Sequence, residues 1–359
     1  MLSFHPLTVA AIERVAEDAV CISLAVPPAL SSAFAFHAGQ YVTVRRRIAG
    51  REERRTYSIV TAPGGEILKL GVRVQASGRM SAELGRAVRA GEVLEVGTPT
   101  GRFRTQIDPA RQFSYVAFAA GSGITPVLSL AADILAKESA SRFTLIYGNR
   151  SMSRTMFVEE TLALKNRYLG RFAVHFVMSR EPQRTEMLNG RIDGPKVHEL
   201  ARHIDDIATA DEYFVCGPGT MVEEVRGALR QINGNAPVRF ERFATSAAPV
   251  TAATGAVTVA AAAHEPLATI SITMDGRRRS FAMCAEDGSV LEAGERAGLE
   301  LPFSCRSGIC ATCRARVVEG AAVMIHNIAL APWEIDAGFV LCCQARPTTE
   351  RLELSYDEK

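Results

Sequence analysis

Three cysteines crowd one short stretch, Cys305-Arg-Ser-Gly-Ile-Cys310-Ala-Thr-Cys313, and Val340-Leu-Cys342-Cys343-Gln-Ala-Arg-Pro347 offers two more far downstream. A C-x4-C-x2-C run answered by a distant cysteine suits four thiolates enclosing a 2Fe–2S cluster, which passes electrons one at a time. A structural zinc site gathers its ligands in close pairs, and a disulfide framework spaces its cysteines along the chain; neither matches this loop. Gly308 gives the loop backbone angles that a side chain would hinder. On an extended segment Cys342 and Cys343 face opposite sides, so only one of them can reach the cluster.

A one-electron centre needs a donor, and further constellations offer one. Along Arg55-Thr-Tyr57-Ser58 alternation puts Arg55 and Tyr57 on one strand face, where an aromatic plane can cover an isoalloxazine and a guanidinium can meet a flavin phosphate. Ser58 then lies within reach of flavin N5; alone, these four residues also fit an ordinary exposed strand. Gly78-Arg79-Met80-Ser81 precedes a helical run, Ala82 to Arg89, and so presents N–H groups and the Ser81 hydroxyl to a pyrophosphate, or simply caps the helix.

Ala120-Gly121-Ser-Gly123-Ile-Thr125-Pro126 is a glycine turn before a helix, with Pro126 where a dinucleotide fingerprint has its third glycine. Tyr147-Gly-Asn-Arg150 and Ser179-Arg180 end two strands without the carboxylate that holds a ribose 2′-hydroxyl. Arg150 and Arg180 suit a 2′-phosphate instead, which favours NADPH over NADH. Cys216-Gly217-Pro-Gly-Thr-Met221 ends another strand, and Cys216 taken alone also fits a small buried apolar residue.

In this order the motifs resemble the ferredoxin–NADP reductase superfamily: R-x-Y-S, the Gly97-Thr-Pro-Thr-Gly101-Arg-Phe103 turn that ends its flavin domain, G-x-G-x-x-P and C-G-x-x-x-M, followed by a plant-type ferredoxin stretch. The resemblance implies that Cys343, directly before Gln344, is the fourth ligand with Cys305, Cys310 and Cys313, and that Cys216 lies near the nicotinamide during hydride transfer. It also places Glu241 and Phe243 beside the flavin. In detail, Phe4–Ala10, Gly121–Pro126, Leu145–Arg150, Gly190–Gly194 and Cys310–Cys313 are similar to the reductase subunits of phenylacetyl-CoA 1,2-epoxidases, which are multicomponent oxygenases. That likeness implies FAD rather than FMN, NADPH as donor and a di-iron oxygenase subunit as acceptor. A reductase serving a different Rieske or di-iron oxygenase fits the same motifs. A redox carrier or sensor without enzymatic activity would require these nucleotide motifs to have decayed, and they stand intact.

Positioning these residues takes three modules. Short apolar runs at Val9–Val15, Ala19–Val26, Gln40–Arg46, Arg55–Val60 and Ile67–Val74, separated by Pro and Gly turns, predict an antiparallel β-barrel flavin domain over 1–108. Strands alternating with helical patterns predict an α/β parallel-sheet nicotinamide-binding domain over 109–243, with ligands beyond the carboxyl ends of its strands. An Ala/Thr/Pro linker at 244–266 precedes a ferredoxin domain at 267–359. There Asp275-Gly276 predicts a hairpin and Ser289–Gly298 a short helix; hairpin, helix, cluster loop and return strand together resemble a β-grasp (α+β) fold.

With 359 residues, 47% hydrophobic and 22% charged, the chain is long enough for two or three cores. A net charge of +2 argues against a nucleic-acid footprint. The N-terminus lacks a secretory pattern, the charge-free run Phe113–Ala132 is broken by Gly121, Gly123 and Pro126, and the cysteines centre on one cluster, so no membrane and a cytoplasmic location are expected. The seven histidines form no ligand spacing, and no E-x-x-H pair of the di-iron type occurs. Organic substrate oxidation therefore belongs to a partner.

Overall fold

The computed structural model describes residues 3–243 and 266–358. They fall into two compact units, one holding the barrel and nicotinamide regions and the other the C-terminal region.

In the first unit β1 (Phe4–Ala16), β2 (Ala19–Ala25), β3 (Tyr41–Ile48), β4 (Arg51–Ser58), β5 (Ile67–Arg73) and β6 (Val93–Gly97) form one sheet in the order β4-β3-β6-β1-β2-β5. A bridge from Ile59 to Leu70 joins the two outer strands and closes the barrel. Alternating inward residues such as Val42, Val44, Leu68, Leu70 and Val72 fill it. The strand at Val93–Gly97 was not among the expected runs: it is only five residues long, with Val93 and Glu95 exposed between buried Leu94 and Val96, so little of it reads as an apolar run although it is central in the sheet. The helix expected at Ala82–Arg89 begins earlier. It consists of α1 (Arg79–Ala82), capped by Gly78, and a π turn at Glu83–Ala87.

The same unit continues into five parallel strands, β7 (Ser114–Ala120), β8 (Arg142–Asn149), β9 (Phe172–Met178), β10 (Glu212–Pro218) and β11 (Val238–Phe243), ordered β11-β10-β7-β8-β9. Helices α2 (Ile124–Lys137), α3 (Val158–Arg167), α4 (Gly194–Ala201), α5 (Asp206–Thr209) and α6 (Gly219–Ile232) accompany them, and separate apolar clusters cover the two sheet faces. The order reverses between β7 and β10, which makes their carboxyl ends a topological switch point, the usual ligand crevice of an open α/β sheet. One of the clusters runs from Cys21, Ala38 and Val60 of the barrel into Tyr115, Ile124 and Cys216, so barrel and sheet share a core. Phe103, in the turn that resembles the end of a flavin domain, stands edge-on to Phe214 with ring centroids 5.7 Å apart and ties the two together.

The second unit has a mixed sheet ordered β13-β12-β18-β14-β16, built from β12 (Pro266–Met274), β13 (Arg277–Cys284), β14 (Arg314–Glu319), β16 (Phe339–Leu341) and β18 (Arg351–Ser355). A small ribbon pairs β15 (Ala322–Met324) with β17 (Ala345–Pro347). Positive φ at both Asp275 (52°) and Gly276 (70°) makes the predicted hairpin turn, while α7 (Val290–Arg296), capped by the Ser289 side chain, and α8 (Pro332–Asp336) complete the module. The Ala/Thr/Pro segment lies outside the described residues except for Pro266, which opens β12. No helix among the described residues is long and apolar enough to cross a membrane.

Candidate functional site

In the barrel, β4 carries the R-x-Y-S residues. Tyr57 is half-buried, Ser58 is buried, and Arg55 reaches outward. Burial pushes the Tyr57 phenol well above its usual range, so it stays neutral. The Gly78–Ser81 segment forms the start of α1, but the Ser81 hydroxyl is engaged locally: it donates to Gly78 O (3.1 Å) and accepts from Gln75 N (3.1 Å). Arg55 and Arg79 converge on one carboxylate, that of Glu53, at 3.1 and 3.0 Å.

At the switch point the two nicotinamide motifs lock together. Gly121 adopts φ +56° and Gly123 lies against Cys216, where a Cβ would come 2.1 Å from the Cys216 carbonyl oxygen. The Tyr147 hydroxyl donates to Gly121 O (2.9 Å) and the Thr125 hydroxyl to Ser122 O (2.9 Å), fixing the turn that leads into α2 and Pro126. A Cβ on Gly217 would lie 2.9 Å from the Met221 sulfur, which explains the spacing of C-G-x-x-x-M.

Register pairs Cys216 of β10 with Glu241 of β11, and Ser58 of β4 lies close to the Glu241 carboxylate. Three residues from separate motifs thus meet where barrel and sheet join. Burial raises the Glu241 carboxyl to about 8 against the pull of Ser58, and its Oε2 has no partner among the described residues. Burial, and then the nearby Glu241, raise the Cys216 thiol well above its usual value, so it stays protonated. The group combines two buried residues, Cys216 and Ser58, with a half-buried carboxyl whose Oε2 is unmatched, a weakly polar surface suited to a neutral planar ring. Phe243 packs on the same core from the end of β11.

Arg150 and Arg180 lie apart from this group, at the ends of β8 and β9. Arg180 N donates to Arg150 O (2.9 Å), and both side chains are exposed. Reasoning on sequence missed Glu53, and also Arg73 and Asp18. Arg73 Nη1 pairs with Asp18 at 2.6 Å and its guanidinium lies beside Gly121, where a Cβ would be 3.9 Å from Nε; Arg154 joins the same aspartate. No local signal marks these residues, because each reads as an isolated surface charge.

In the second unit the four expected thiols lie as two neighbouring pairs, Cys305 by Cys310 and Cys313 by Cys343. Among the described residues no three His, Cys, Asp or Glu side chains converge as on a single ion. Two neighbouring pairs fit two irons, each taking two thiolates. The Cys305 thiol is pulled down to about 5 by Cys310 and by the amides of Ser307, Ile309 and Cys310, each 3.4 Å from its sulfur. The loop bends through positive φ at Arg306, Gly308 and Ala311. A Cβ on Gly308 would stand 2.8 Å from His326 O, while Ile328 N and Ala329 N donate to Gly308 O at 3.1 and 3.0 Å, so a neighbouring segment clasps the loop. Gln344 donates to Arg306 O (2.9 Å) and places Cys343 beside Cys313. Cys342 is fully buried near Tyr356, and only its amide meets the cluster loop, donating to Cys313 O at 3.0 Å.

A closed barrel, a parallel sheet with its switch point at two glycine motifs, and a four-thiol module define the class: oxidoreductases that join flavin, nicotinamide and iron–sulfur modules in one chain. Family models agree, an oxidoreductase FAD-binding domain matching residues 6–105, an oxidoreductase NAD-binding domain 118–227 and a 2Fe-2S iron-sulfur cluster binding domain 272–348. The chain is 38% identical to a subunit of the 1,2-phenylacetyl-CoA epoxidase of Escherichia coli K12, over 100% of its own length and 99% of that protein, and it belongs to that family. It is also 29% identical to the 3-ketosteroid-9-alpha-monooxygenase ferredoxin reductase component of Rhodococcus rhodochrous, over 98% of this chain and 96% of that one. Among solved structures, phthalate dioxygenase reductase matches with a TM-score of 0.59 at 22% identity over 98% of both chains. An intact type IV self-sufficient cytochrome monooxygenase matches with a TM-score of 0.65 at 20% identity, and the chain spans 41% of its length. The chain is accordingly an electron-transfer oxidoreductase whose cofactors are FAD, a nicotinamide and a 2Fe–2S cluster.

Proposed function

We propose that the chain is the reductase component of a phenylacetyl-CoA epoxidase, taking electrons from NADPH and delivering them to a di-iron oxygenase partner. The supporting observation is full-length identity of 38% to one component of such an epoxidase, joined to the three cofactor-binding domains that the relay needs. The cofactors supply the redox chemistry: a nicotinamide gives a hydride, a flavin divides the pair, and a 2Fe–2S centre accepts single electrons.

The residues do the rest. Tyr57 covers the flavin ring, Ser58 hydrogen-bonds near its N5, and Arg55 and Arg79 take its phosphates with the amides of Gly78 to Ser81. Gly121, Gly123, Thr125 and Pro126 admit the nicotinamide pyrophosphate. Arg150 and Arg180, with Ser179, bind the 2′-phosphate. Cys216 and Gly217 line the nicotinamide ring's approach, with Glu241 and Phe243 behind the flavin. Because Cys216 stays protonated and Tyr57 neutral, the pocket favours orientation over acid–base help, which is what hydride transfer needs. Cys305, Cys310, Cys313 and Cys343 hold the cluster. The domain limits proposed are 1–108, 109–243 and 267–359, and a cysteine pattern dominated by one cluster favours a cytoplasmic location.

A second reading, a reductase for another multicomponent oxygenase, is favoured by the ketosteroid monooxygenase relative. Reducing the purified protein anaerobically with NADPH and adding each candidate oxygenase separates the two. Cluster reoxidation by the phenylacetyl-CoA oxygenase supports the first reading, and reoxidation by artificial acceptors without it removes that reading.

A further inference from the structure

Glu53 lies two positions before Arg55 on β4, inside an arginine-rich run that reads as solvated charge. Its side chain is only 8% exposed, whereas those of Arg55 and Arg79 are 46% and 55% exposed. Its two oxygens are divided between them, Oε2 to Arg55 Nη2 (3.1 Å) and Oε1 to Arg79 Nη2 (3.0 Å). A carboxylate so far from water is costly unless both oxygens are paired, and here two cations pair them.

The arrangement does something for the arginines as well. Two guanidiniums placed side by side repel each other, and two long exposed side chains lose much rotamer freedom on binding an anion. A shared buried anchor offsets both effects before any ligand arrives. Each guanidinium gives Glu53 one terminal nitrogen; Arg55 Nη1 also donates to Arg54 O (2.7 Å), and the Arg79 guanidinium has no further partner among the described residues. Two cations and one anion leave a net positive charge beside the Gly78 cap of α1. The same carboxylate links the R-x-Y-S strand to the Gly78–Ser81 turn through an ion pair on each side.

We propose that Glu53 is a positioning residue for the flavin pyrophosphate, holding Arg55 and Arg79 together so that each meets one phosphate. The inference rests on the flavin reading of the barrel. It is tested by titrating flavin-free wild type, Glu53→Gln, Glu53→Asp, Arg79→Gln and the Glu53→Gln/Arg79→Gln double variant with FAD and following flavin fluorescence, with circular dichroism checking the fold. Losing the anchor should weaken FAD binding by about tenfold or more in Glu53→Gln, the scale of a charge-assisted contact, with Glu53→Asp intermediate because it keeps the charge at shorter reach. Once Arg79 is gone, Glu53→Gln should cost no more than about threefold further, because the two act as a unit. Unchanged or tighter FAD binding by Glu53→Gln, or independent multiplication of the two losses, overturns the proposal. Failure of wild type to bind FAD overturns the flavin reading instead.

Discussion

Gly123 sits so closely under Cys216 that a Cβ on it would lie 2.1 Å from the Cys216 carbonyl oxygen. Backbone meets backbone here, so no rotamer change can make room. The glycine turn and the end of β10 are one construction, and each sets the position of the other at the switch point.

Gly123→Ala should therefore push the turn and β10 apart. Overpacking of this kind costs about 1–3 kcal/mol. The expected outcome is a lower thermal transition together with a raised KM for NADPH in flavin reduction, while cluster content stays unchanged because the thiols belong to the other unit.

Cys342 and Cys343 are adjacent but differently placed: Cys342 is fully buried near Tyr356, and Cys343 lies by Cys313. Cys343→Ser should abolish or strongly alter the paramagnetic signal of the reduced cluster. Cys342→Ser should leave iron content near two per chain by the usual two-iron stoichiometry. Iron analysis and electron paramagnetic resonance of the two variants check this.

Arg150 and Arg180 are exposed, and the Arg180 amide bonds the Arg150 carbonyl, so the two residues form a shared ledge at the ends of β8 and β9. Replacing both with alanine should raise KM for NADPH by about 10- to 100-fold, the scale of one or two charge-assisted contacts, and leave KM for NADH nearly unchanged. Stopped-flow flavin reduction with the two nucleotides measures the split.

Much of this was legible in the sequence. The cysteine spacing, the Asp275-Gly276 turn and the Gly298 stop are local chemistry, in which a few consecutive residues dictate the geometry. The barrel and the parallel sheet followed from periodicity. The contact between Ser58 and Glu241 was not legible, because it joins β4 to β11 through tertiary packing. Glu53 was hidden for a related reason: only the fold takes an acidic residue in a run of arginines out of water. The start of α1 at Arg79 escaped because Gly78 caps it with backbone alone and no side-chain signal.

Glu241 carries a pH dependence with a definite sign. Burial raises its carboxyl to about 8, whereas an unfolded glutamate titrates near about 4.3. Between those values the folded chain keeps a proton that the unfolded chain has released, so stability falls as pH rises through the window. Glu241→Gln should match wild type near pH 4.5 and exceed it by about 1–3 kcal/mol at pH 9, since each pKa unit is worth about 1.4 kcal/mol and relaxation reduces the full shift. Thermal transitions followed across this range test it, and a variant whose advantage grows toward low pH would contradict the sign.

The central claim is that two-electron donation from a nicotinamide leaves this chain as single electrons through the thiol-bound iron. Its most direct test is an anaerobic NADPH titration of the fully loaded protein, followed by flavin absorbance and electron paramagnetic resonance together. The account predicts that flavin bleaching is accompanied by a two-iron signal, and that Cys305→Ser loses both this signal and delivery to a protein acceptor while its flavin still bleaches. Undiminished delivery by Cys305→Ser, or complete flavin reduction in the native chain with no iron signal at all, would contradict it.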